Sequence, residues 1–182
     1  MIDHGDRFRV IDIYREPSVY DPRLVASVFT RSGFTRPANT TAYAAKDVMT
    51  DGNAKAMEFP NISPIPGAGV DILSAFMISS NPSSTPGSFT LMLFNSPQDL
   101  ASDNAAYAPT NQDMTSFIGL VSFDGSKVNS NSAVYYPIGF GHLYVRLSPS
   151  STSVYGVLIA DSAYPPISCE NFIIKLYGEI MR

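Results

Sequence analysis

The 182-residue sequence has one cysteine, Cys169, no tryptophan, and only two histidines, His4 and His142. A single cysteine excludes an intramolecular disulfide and a four-cysteine metal site. Such a lone thiol is expected to be buried and inert. Histidine is the side chain whose ordinary pKa suits general-base work near neutrality, and here there are few. His142 follows Gly139-Phe140-Gly141 in a turn, His4 lies near the start, no Gly-x-Ser-x-Gly elbow occurs, and no spacing ties Cys169 to His142. The reading is therefore not an enzyme, because a serine or cysteine nucleophile needs a positioned base. Charged residues make up only 15% of the chain and the net charge is -4, a poor field for nucleic acid, whose phosphates require concentrated positive charge. No window approaches the ~20 consecutive apolar residues of a membrane span. The opening MIDHGDRFRVIDIYREP carries no signal-peptide core. The expectation is a protein made in the cytoplasm, with no membrane, nucleic-acid or cofactor partner and no metal.

What is abundant is proline (14), glycine (12), phenylalanine (11) and tyrosine (10), the composition of short strands separated by turns. Val70 to Ser79 has period two, with Val70, Ile72, Phe76 and Ile78 of one parity and Asp71, Leu73, Ala75, Met77 and Ser79 of the other. Ser88 to Asn95 places Phe89, Leu91 and Leu93 on one face. The two read as neighbouring antiparallel strands joined by the turn-rich Asn81 to Gly87. Further strands are predicted over Met57 to Phe59, Ile118 to Phe123, Ala133 to Ile138, Leu143 to Leu147, Ser153 to Ala160 and Asn171 to Ile180, with a weaker one through Tyr43, Ala45 and Val48. Turns are predicted at Asp51-Gly52-Asn53 and Asp124-Gly125-Ser126. Ser96-Pro97-Gln98-Asp99 and Thr110-Asn111-Gln112-Asp113 are short-helix starts, each with a capping hydroxyl and a carboxylate three residues on. The pattern predicts an all-β fold, a β-sandwich of jelly-roll or related Greek-key type with short helical turns in a crossover and an extended N-terminal arm.

The arm is residues 1 to 33 and the sandwich domain residues 34 to 182. Six of eight arginines fall within the first 36 residues, interleaved with acids and broken by Glu16-Pro17 and Asp21-Pro22, which favour extended backbone. An ordinary edge strand plus loop of the same domain is the other reading. In Ser153 to Ala160 both faces are apolar, as in a strand central to the sheet or one whose outer face meets a partner.

Other motifs have plain structural readings. Gly67-Ala68-Gly69 lacks the lysine and helix of a phosphate cradle and reads as a tight turn. Asp99, Asp103 and Asp113 lack the spacing of a calcium loop, and helix capping accounts for the first and last. The tyrosines suit sheet surfaces and subunit contacts, and sugar stacking is the other use of such rings in lectin-like folds of this class.

Three stretches carry a resemblance: Phe34-Thr35-Arg36-Pro37-Ala38-Asn39-Thr40-Thr41-Ala42-Tyr43-Ala44-Ala45-Lys46-Asp47-Val48, then Leu91-Met92-Leu93-Phe94 with Asp103-Asn104-Ala105-Ala106-Tyr107, then Ile118-Gly119-Leu120-Val121-Ser122-Phe123. In that order they resemble the head-associated decoration or cement proteins of tailed bacteriophages, across about residues 34 to 180. The resemblance implies a virion structural protein on the capsid surface, a homotrimer that binds and stabilises the major capsid protein shell. On that footing the arginine-bearing segment (Arg7, Arg9, Arg15, Arg23, Arg31) is expected to contact the shell, and Tyr144, Tyr155, Val157 and Ile159 to contact other copies. The alternative is a receptor- or glycan-binding module of a tail fibre, baseplate or capsid spike.

Overall fold

The computed structural model describes residues 27–82, 87–128 and 131–181. Its strands are β1 (Ser27–Thr35), β2 (Val48–Met49), β3 (Met57–Phe59), β4 (Gly69–Ser79), β5 (Phe89–Phe94), β6 (Phe117–Val128), β7 (Ala133–Pro137), β8 (Leu143–Arg146), β9 (Val154–Ala160) and β10 (Asn171–Met181), with one 3-10 turn at Asp113–Ser116. The strands form one antiparallel sheet in the order β1-β10-β4-β7-β6-β5-β9-β2, with β3 also on β9 and β8 also on β4. Strands β5, β6 and β7 are successive neighbours and β4 returns beside β7, which is Greek-key connectivity. The sheet curls until its ends meet: Thr30 Oγ1 of β1 donates to the carbonyl of Pro60, just past β3, at 2.7 Å.

Aromatic residues hold the two halves together. Phe89 of β5 meets Phe172 of β10 at 6.0 Å, Tyr135 of β7 at 5.1 Å and Tyr164 at 5.0 Å between ring centroids. Around them pack Val70, Ile72, Leu91, Val121, Phe123, Val145, Leu158 and Ile174, all buried. Each such side chain stabilises the fold by about 1.5–3 kcal/mol.

The all-β expectation holds, and several details are corrected. Strands β4 and β5 are not neighbours; β7 and β6 stand between them. The parity of β4 also breaks. A bulge pairs Tyr177 with Ser74 and Gly178 with Ile72, leaving Leu73 unopposed. Val70 and Ile72 therefore point inward with Ala75 and Met77, while Phe76 and Ile78 turn outward. The Asp124-Gly125-Ser126 turn is instead an irregularity inside the long β6. Residues 96–99 form no helix, because Gln98 O accepts from Ala56 N and Leu100 N donates to Ala54 O, extended pairing that outcompetes the local capping signal. At Thr110 that signal succeeds: Thr110 N and Oγ1 both donate to Asp113 Oδ2, and Asp113 N donates back to Thr110 Oγ1. Of the weaker strand through Tyr43, Ala45 and Val48, Val48–Met49 forms, with single bridges from Tyr43 to Tyr164 and from Asp47 to Ala106. Cys169 is exposed, at φ +53°, not buried.

The boundary expected at residue 33 falls inside β1, which pairs with β10 along its whole length from Ser27–Glu179 to Thr35–Asn171. Residues 27–33 are an edge strand of the domain. Arg7, Arg9, Arg15 and Arg23 lie outside the described residues.

Candidate functional site

Two features of the fold could serve a function: a polar seam at one end and an aromatic face on the outside. The seam begins at Arg36, whose side chain is fully buried. Its Nη2 donates to Asp103 Oδ2 at 3.0 Å and to Asn39 Oδ1 at 3.3 Å, its Nε donates to the Tyr43 hydroxyl, and its guanidinium carbon stands 4.5 Å from the centre of the Tyr43 ring. Burial, and then the Asp103 carboxylate, push the Tyr43 phenol well above its usual pKa. Beyond the Tyr43–Tyr164 ring contact lies Glu170, also fully buried. It accepts from the hydroxyls of Ser79 and Tyr164 and from Ile167 N. Burial raises the Glu170 pKa, and those three bonds and Arg36 only partly oppose the rise. These groups bond one another inside the protein, as a staple joining the segments before β2 and β10 to the sheet.

His142 meets an acid: its Nδ1 lies 2.8 Å from Asp71 Oδ2. The imidazole is three-quarters exposed. Among the described residues no hydroxyl or thiol is hydrogen-bonded to it, so the pair lacks the nucleophile of a hydrolytic triad. Also among the described residues, no three His, Cys, Asp or Glu side chains gather to hold a metal ion, and no helix is long and apolar enough to cross a membrane.

The outer face of β1, β10, β4 and β7 differs from an ordinary solvated sheet. Phe29 stands opposite Tyr177 with rings 5.0 Å apart. Tyr177 meets Phe76 at 5.8 Å, and Phe76 meets Tyr136 at 5.7 Å. One aromatic row thus crosses four strands, with Phe29 51%, Tyr136 41% and Tyr177 38% exposed. Arg31 is opposite Lys175, which is opposite Phe76, and Ile173 is opposite Ile78. At the other end Asp71 lies between Glu179 and Tyr144. The face is therefore aromatic in the middle and cationic toward one end, while the other end carries Asp71 and Glu179 with the exposed Arg146 beside Tyr144. From strand spacing and rise it measures about 20 by 14 Å.

Of the residues expected to bind, Arg31 and the exposed Tyr144 lie on this face. Val157 and Ile159 do not. They are buried with Val48 and Phe94 under the chain's own Leu100 and Tyr107, so the second apolar face of β9 is covered internally rather than awaiting a neighbour. Tyr155 is half-buried at the margin of that cluster. Phe29 and Phe76 were not anticipated; Phe76 shares the parity of Val70 until the Leu73 bulge reverses it. Asp103, weighed as a cation ligand, is the counter-charge of Arg36.

No protein-family model matches the chain, and no curated protein matches it either.

Proposed function

We propose that this protein is a non-enzymatic structural component that adheres to a repeating protein lattice: a decoration or cement protein on a tailed-bacteriophage head, assembled as a homotrimer on the major capsid protein. The observation that carries the reading is the aromatic row Phe29–Tyr177–Phe76–Tyr136 on an exposed sheet face. Exposed apolar patches rimmed by charge mark protein contacts. A face of about 280 Å² is small beside the roughly 800 Å² per partner of a stable interface. Contact through it alone is weak, and a protein of this kind holds by repeating the contact across several copies. The motif resemblance supports the same role.

The tilts within the row speak against its use as a sugar platform. Phe76 stands at 83° and 86° to its neighbours, so the rings share no plane on which pyranose faces could stack. Copy number tests the reading. Quantitative mass spectrometry of purified particles should find this chain in the hundreds, as symmetric coverage of a shell requires; about a dozen or fewer copies would assign it to a tail or spike and overturn the lattice role.

A further inference from the structure

We propose that a groove at one end of the barrel, beyond the Tyr144 end of the aromatic face, binds an acidic oligosaccharide. Two open cavities, of about 490 and 430 Å³, share Asn95 and Ser148 and so run together as one trough. Each is within the size range of small-molecule sites.

The first half is lined by the half-buried Tyr155 and by Glu58, Asn95 and Ser150. Its polar groups are held but not saturated. Glu58 Oε1 accepts the Ser153 hydroxyl at 2.7 Å, leaving Oε2 open. The backbone of Asn95 is fixed on both sides, its N–H donating to Ser116 O at 2.9 Å and its carbonyl accepting from the Ser148 hydroxyl at 2.8 Å. Its side-chain amide has no hydrogen-bond partner among the described residues. A carboxylate oxygen, an amide that both donates and accepts, and an aromatic side chain are what a ring bearing neighbouring hydroxyls requires. The lining is mostly hydroxyl and amide rather than apolar, which favours a sugar over a peptide side chain.

The second half contains Arg146, exposed on β8, which has no ion-pair partner among the described residues. A guanidinium without a counter-charge suits a carboxylate or sulfate on the next sugar unit. The trough thus reads as a neutral subsite at Tyr155 and an anionic subsite at Arg146, joined across Asn95.

The groove shares no residue with the aromatic row, so this inference and the lattice role can fail separately. The test is calorimetric titration of the full chain with a hyaluronan tetrasaccharide, in which neutral and uronate units alternate, and with the neutral tetramer chitotetraose in its N-acetylated form. The acidic tetramer should bind at least about fivefold more tightly, with an affinity that falls as salt rises. Arg146→Gln should abolish that preference and the salt dependence. Asn95→Ala should weaken both ligands about tenfold, and Tyr136→Ala on the aromatic face should change neither, with circular dichroism confirming that each variant is folded. No binding of either tetramer at about 10 mM, equal binding of the two, or acidic binding indifferent to Arg146→Gln would overturn the proposal.

Discussion

The Tyr43 hydroxyl donates to Asp103 Oδ1 at 2.6 Å across 60 residues of sequence, and the same oxygen accepts Thr50 N at 3.0 Å. Asp103 is thus the counter-charge for a guanidinium with no access to water, and it also anchors the residue after β2. Removing one member of a buried pair costs about 3–5 kcal/mol, because the other is left uncompensated. Asp103→Ala should lower stability by that amount in urea unfolding. Tyr43→Phe keeps the ion pair but removes two hydrogen bonds, the one donated to Asp103 and the one accepted from the buried Arg36 Nε, for about 2 kcal/mol. Equal losses from the two would show that the ion pair does not set the cost.

Glu170 makes stability depend on pH in the direction opposite to that of most carboxylates. Burial raises its folded pKa above the usual 4.5, so between the two values the native state holds a proton that the unfolded chain has released. Its contribution is fully present below about pH 4.5 and is lost as pH rises through the folded value. Thermal melts of Glu170→Gln against the native protein should show the variant gaining relative stability as pH climbs; a constant difference would mean that Glu170 ionises normally. Tyr43 and Tyr164, also raised by burial, have the same sign at the alkaline end, with stability falling once pH exceeds 10.0.

Gly178 lies opposite the bulge in β4. A Cβ built there would lie 2.4 Å from the carbonyl oxygen of Asp71, a backbone atom that cannot step aside. Gly178→Ala should cost about 1–3 kcal/mol in overpacking. Gly141→Ala provides the control, since a Cβ there meets nothing within 4 Å, and its effect should stay within about 0.5 kcal/mol. Comparable losses at the two positions in denaturant titration would remove the steric account.

The legible parts of this fold are those where one strand's own alternation decides which way its residues face. In β10, Phe172, Ile174, Leu176 and Ile180 are buried as their spacing predicts. In β8, Tyr144 and Arg146 face outward, as their alternation with the buried Val145 requires. In β4 the same logic fails beyond Leu73, because one unopposed residue inverts every later side chain and no local signal marks it. Pairing partners were less legible still. Strands β4 and β5 are consecutive, yet they are separated by two strands that follow them in sequence. The seam was invisible for a related reason: Arg36 belongs by composition to an arginine-rich N-terminal segment, and only the fold brings Asp103 to it. Part of the candidate face was hidden in the same way, since Phe76 reaches the aromatic row only through the bulge.

The aromatic face yields the sharpest separation of folding from adhesion. Phe29 and Tyr177 point away from the core and are about half and two-fifths exposed. Their contribution to the isolated protein is two cross-strand ring contacts, Phe29 with Tyr177 and Tyr177 with Phe76, each worth about 0.2–1 kcal/mol. The double variant Phe29→Glu, Tyr177→Glu places like charges opposite each other, so its stability should fall by no more than about 2 kcal/mol, leaving the circular dichroism spectrum unchanged. Any contact made through the face would meet two unpaired carboxylates in an apolar interface, a desolvation cost of several kcal/mol. Sedimentation with purified shells should then show the native protein attached and the folded variant free. The arm can be weighed in the same assay by removing residues 1–26, which leaves β1 intact, whereas removal of residues 1–33 would take away most of an edge strand paired to β10. Attachment that survives the double substitution and is lost only with residues 1–26 would move the adhesive surface from the sheet to the arginine-bearing segment.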